Sequence, residues 1–145
     1  MHDVPRQLTV DELAELFEGR TRLVEELAKR DDPLGDARDV IAGLSDEEKL
    51  EALNAHPAIG AKKLSARSAA EQGGDADPVV LTELAYLNQV YEEKFGFRFV
   101  VFVNRRPKSE ILDVLRRRLE RTRAEELDTA VEELVAIAED RWRRS

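Results

Sequence analysis

"DPVVLTELAYLNQVYEEKFGFRFVVFV", residues 77–103, joins two opposed patterns around one glycine. From Val79 to Lys94, the residues Leu81, Leu84, Tyr86, Leu87 and Tyr91 recur at helical spacing, and Gly96 is the residue type that closes a helix. Beyond it, Phe97 to Val103 is dense in β-branched and aromatic side chains and reads as an extended, largely buried segment. The chain offers it no obvious partner strand. Its main-chain N–H and C=O groups must still find partners, so a lone extended stretch among helices is a place where a ligand can use backbone donors.

Outward from this stretch the chain reads as helix. Thr9 with Glu12 forms a capping box, Leu13, Leu16 and Phe17 share a face, and Gly19 supplies a stop, which predicts a helix at about 9 to 18. Leu23, Val24 and Leu27 mark a second helix within Arg20 to Arg30, ended by Asp31-Asp32-Pro33. Ser45 with Glu48 opens another, carrying Leu50 and Leu53, which must end near His56 because Pro57 disfavours helix in the residue before it. Residues 58–77 mix Gly, Ser, Ala and Asp and read as mostly irregular. Two long helices close the chain, from Ser109 to about Thr122 with Ile111, Leu112, Leu115 and Leu119 inward, and from about Ala124 onward. The expected fold is all-α: a single-domain bundle of about six to eight helices over residues 1–145, with a flexible terminus at 1–8 and one short extended segment near 97–103.

Composition excludes several classes of function. With 145 residues the chain can bury a real core, and an apolar share of 42% is too high for a disordered acidic tail despite 37% charged residues. A net charge of -8 argues against nucleic acid as a partner, although Arg116, Arg117, Arg118, Arg121 and Arg123 form a local basic run. No cysteine is available for a disulfide, a thiolate metal site or a nucleophile. No apolar run approaches the roughly 20 residues that span a bilayer, and no signal peptide opens the chain, so a cytoplasmic protein without a membrane partner is expected. There is no phosphate-binding glycine loop, no histidine pair at metal-ligand spacing and no nucleophile elbow.

Polar residues that fall on an apolar stripe carry the chemistry. In the last helix Leu127, Val131, Leu134 and Ala138 mark the inward face, and Arg141 returns to it seven residues after Leu134. There it must be paired or bind an anion, unless the helix frays first and leaves it solvated. His56 lies three after Leu53 and six after Leu50, at a helix end, where an imidazole with an ordinary pKa of roughly 6.5 can move protons or serve as a hydrogen-bonded structural residue. Ser68 to Glu71 matches a capping box, yet Gln72-Gly73-Gly74-Asp75 permits no sustained helix. Glu71 could instead pair with His56, with Gln72 offering a donor and an acceptor to an amide-like ligand.

The pieces together resemble the 2-oxo-4-hydroxy-4-carboxy-5-ureidoimidazoline (OHCU) decarboxylase family of urate breakdown. The matching parts are His56-Pro57-Ala58-Ile59-Gly60, Ser68-x-x-Glu71-Gln72, Leu87-Asn88-x-x-Tyr91-x-x-Lys94-Phe95-Gly96-Phe97-x-Phe99-Val100-Val101, Ile111-Leu112, Arg118-Leu119 and Ile137-x-x-x-Arg141. The resemblance implies an all-helical, cofactor-free and metal-free lyase that yields (S)-allantoin from a small-molecule substrate. It implies His56 as the acid/base group and Glu71 as its carboxylate partner. Pro57, Ser68 and Gln72 would line the pocket, Arg141 would hold substrate oxygens, and Phe99 with the N–H groups near Val100 and Val101 would contact the ring. A homodimer would fit the family. Arg98 stands where the family usually has proline, Glu120 replaces a common asparagine, and the stretch from His56 to Glu71 is shorter than in many members. Two alternatives are a noncatalytic helical interaction module, which gives His56, Glu71 and Arg141 no reason to converge, and a related lyase acting on another ureido or imidazolone acid.

Overall fold

The computed structural model describes residues 7–57 and 77–144, which carry seven α-helices and no strand. They group into two compact units, one running to His56 and resuming at Val131, the other running from Pro57 to Ala130. No described helix is long and apolar enough to cross a membrane.

In the first unit, α1 (Val10–Phe17) starts at the expected capping box, with Thr9 and Glu12 bonded reciprocally, and buries Leu13, Leu16 and Phe17. Its stop differs from expectation. The left-handed residue is Glu18 (φ 66), not Gly19. α2 (Arg22–Leu27) packs against α1, α3 (Ala37–Ala42) and α4 (Asp46–Asn54), and its Leu23, Val24 and Leu27 are fully buried. Each such burial is worth about 1.5–3 kcal/mol, so this short helix is held by packing rather than by propensity. The sequence patterns gave no sign of α3, whose six residues bury Ala37, Val40 and Ile41 without a side-chain cap. α4 opens at the Ser45–Glu48 capping box and ends at Ala55, as Pro57 requires. Leu8, assigned by pattern to a flexible terminus, is buried, and the Gln7 amide donates to the Ala28 carbonyl.

In the second unit, Asp77 caps α5 (Pro78–Phe95) by accepting from Val79 N–H, and Pro78 occupies the first turn, where no partner for its missing N–H is needed. Gly96 ends the helix at φ 81. A side chain there would meet nothing within 4 Å, so glycine serves the dihedral and not a close approach. The inward face is Leu84, Asn88, Tyr91 and Phe95, whereas Leu81 and Tyr86 are exposed. Residues 98–103 follow a bend at Phe97 and are neither helix nor strand, and Phe97, Phe99, Val100, Val101 and Val103 are buried. Asn104 and Arg105, both left-handed, turn the chain toward α6 (Lys108–Arg118), which packs on α5. α6 stops earlier than expected, so Arg118 and not Leu119 completes the buried face with Ile111, Leu112 and Leu115. α7 (Arg123–Arg144) follows a third reciprocal pair, Thr122 with Glu125. Its buried face takes Ala130 rather than Val131.

Hydrogen bonds from the caps lower the carboxyl pKa of Glu48 and Glu125, Ser45 acting on the first and Thr122 on the second. A lowered folded pKa stabilises the protein above the ordinary carboxylate range, and that contribution is lost as pH falls through it. The thermal midpoint should therefore drop on acidification below about pH 4, and Glu48→Gln with Glu125→Gln should flatten the drop. Ser45→Ala should cost about 1 kcal/mol in urea denaturation at neutral pH.

Candidate active site

His56 follows the end of α4, with its N–H donating to the Leu53 carbonyl at 3.2 Å, and is only 5% exposed. The apolar face that carries Leu53 therefore delivers the imidazole inward, and Pro57 prevents the helix from continuing past it.

Arg141 is 1% exposed, and α7 runs through it without fraying. Its Nη1 donates to the Leu16 carbonyl at 3.1 Å and its Nη2 lies 3.0 Å from Glu18 Oε1. The left-handed end of α1 thus turns both a carbonyl and a carboxylate onto one guanidinium, as a buried cation requires. The same turn meets the end of α4. A methyl group placed on Gly19 would stand 3.5 Å from the Ala55 Cβ, next to His56 in sequence. The turn that seats Arg141 therefore approaches the residue before His56.

Val100, Val101 and Phe99 lie in the second unit, where arginines take the place of a neighbouring strand. Arg118 Nη1 donates to the Val100 carbonyl at 2.8 Å, and Arg106 donates to the carbonyls of Phe102 and Val103 at 2.6 and 3.0 Å. The N–H groups of Val100 and Val101 find no acceptor among the described residues. Arg118 also bonds Glu126 at 2.7 Å and stacks over the Phe99 ring at 4.7 Å. Glu126, fully buried, accepts from Tyr91 at 2.6 Å and from Arg121 at 2.9 Å. Burial, with the Glu126 hydrogen bond second, pushes the Tyr91 hydroxyl well above its ordinary pKa, so it remains a donor. The Tyr91 ring contacts Phe95, Phe97 and Phe99 with centroids 4.6, 5.9 and 5.2 Å away.

Sequence patterns missed Arg118, Glu126 and Glu18. The step that found Arg141 also finds Arg118, seven residues after Ile111, and Glu126 falls four before Ala130 and eight before Leu134. Arg98 makes a partly exposed ion pair with Glu92 at 3.3 Å. Ser68, Glu71 and Gln72, together with His2 and most of the irregular stretch predicted at 58–77, lie outside the described residues.

The fold and these side chains define an all-helical protein with an enclosed imidazole and an enclosed guanidinium. The chain belongs to the OHCU decarboxylase family, whose profile matches residues 2–143. It is 30% identical over 143 residues to the 2-oxo-4-hydroxy-4-carboxy-5-ureidoimidazoline decarboxylase of Haloferax volcanii, covering 90% of this chain and 84% of that protein. It is 32% identical over 105 residues to the uric acid degradation bifunctional protein of Bacillus sp. strain TB-90, covering 69% of this chain. There it spans 21% of the relative's length. A crystal structure of OHCU decarboxylase in the presence of (S)-allantoin superposes with a TM-score of 0.78 at 26% identity, covering 92% of this chain and 96% of that one.

Replacing Glu126 should expose how much the second unit depends on its buried charges. Glu126→Ala strands Arg118 in the interior and should cost about 3–5 kcal/mol in urea denaturation.

Proposed function

We propose that the chain catalyses cofactor-independent decarboxylation of OHCU to (S)-allantoin as one domain over residues 1–145, in the cytoplasm, and that a homodimer fits this role. The observation that carries the reading is that His56, at the end of α4, and Arg141, in α7, are both enclosed.

The chemistry needs few groups. In OHCU the carboxylate sits on the carbon next to a ring imine. When the bond to CO2 breaks, its electron pair forms a carbon–carbon double bond while the imine nitrogen gains a proton. The resulting enol loses its hydroxyl proton, and a proton adds to one face of the carbon that bears the ureido group. The electron sink is in the substrate, so the protein must orient the carboxylate out of the ring plane and manage protons.

In this reading His56 moves the proton, paired with Glu71. Arg141 holds substrate oxygens through its planar donors, Pro57, Ser68 and Gln72 line the pocket, and Phe99 with the N–H groups of Val100 and Val101 meets the ring. That those two N–H groups have no acceptor among the described residues supports their part, because a buried donor without a partner favours a ligand that supplies one.

The test is to generate OHCU from urate with the two preceding enzymes and follow allantoin by circular dichroism. Enantiomerically enriched (S)-allantoin should form well above the spontaneous rate. Racemic product at the uncatalysed rate would refute the proposal. His56→Asn should lower the rate by about 100-fold or more while leaving the fold intact, and near wild-type activity in that variant would remove His56 from the chemistry.

A further inference from the structure

Glu18 closes α1 in the left-handed region at φ 66, a conformation that strains any residue with a side chain. Glycine adopts it freely, and Gly19 stands one position later, yet the chain places a glutamate in the left-handed seat. The result is a carboxylate held 3.0 Å from Arg141 Nη2, while the Leu16 carbonyl, two residues earlier, takes Nη1 at 3.1 Å. Two contacts from one helix end fix two nitrogens of a planar group, and so fix the plane itself. The Glu18 side chain is 12% exposed and that of Arg141 is 2%, so water does little to loosen the pair.

The geometry points to Glu18 as a positioning residue for the decarboxylation: its strained carboxylate sets the orientation in which Arg141 presents its donors to the substrate's oxygens. This rests on the assignment of Arg141 to substrate binding made above. Glu18 itself touches no reacting atom. Its backbone strain is offset by the pairing of the buried Arg141, and such strained seats are associated with functional sites.

The test compares steady-state constants with melting. Asp11→Asn is the control, since Asp11 lies on the same helix in an exposed pair with Arg20, and its KM and kcat should match the wild type. Glu18→Gln and Glu18→Gly should each raise KM about tenfold, with kcat changed much less and the pH profile of kcat unmoved, because the proton-transfer group is untouched. Glu18→Gly separates the two roles of the residue. It frees the backbone, so it should melt no lower than Glu18→Gln while its KM is at least as high. A wild-type KM in either folded variant would overturn the proposal. Loss of folding in both would assign Glu18 to the architecture of the α1 end and would also overturn it. A wild-type protein without decarboxylase activity overturns this proposal and the activity together, whereas an active wild type with unmoved variants overturns the positioning role alone.

Discussion

A guanidinium with 1% exposure cannot be solvated, and the first unit is arranged around that constraint at Arg141. Left unpaired, a buried charge costs about 3–5 kcal/mol. Forcing a glutamate into the left-handed region costs about 1–2 kcal/mol. The pairing wins, which accounts for α1 ending on Glu18 with the easier residue one step away. From that end follow the seat of the Leu16 carbonyl, the approach of Gly19 to Ala55, and the delivery of His56 at the close of α4.

The second unit meets a different demand with the same side chain. A buried segment outside helix and strand leaves its carbonyls without regular partners, and Arg118 and Arg106 supply donors in place of a ladder. Arg118 can do this and still hold Glu126 and face the Phe99 ring, because its fork presents several donors around a flat face. A lysine, with one compact ammonium, could not serve all three.

Much of the helical plan was legible because its signals are local. Reciprocal caps at Thr9 and Ser45, the proline after His56 and the glycine after Phe95 each act within a turn. Arg141 was legible from phase alone. Arg118 carried the same phase, but it sits inside a run of arginines that reads as a solvated face, and one inward member of such a run is visible only when each position is stepped separately. α3 was hidden by its brevity and weak capping, which leave its stability to contacts distant in sequence. Glu18 was the least legible. Local preference assigns the left-handed seat to Gly19, and the reason for overriding it lies 123 residues away at Arg141.

The choice of arginine for the buried cations also shapes how the interior responds to protons. Arginine keeps its charge throughout the physiological range, so the pairs at Arg141 and Arg118 form a constant electrostatic frame. Among the described residues, the buried titratable side chain whose ordinary pKa lies near neutrality is His56. Swings in cellular pH therefore leave the buried positive charge of each unit in place, a property that lysine or histidine in the same seats would not guarantee.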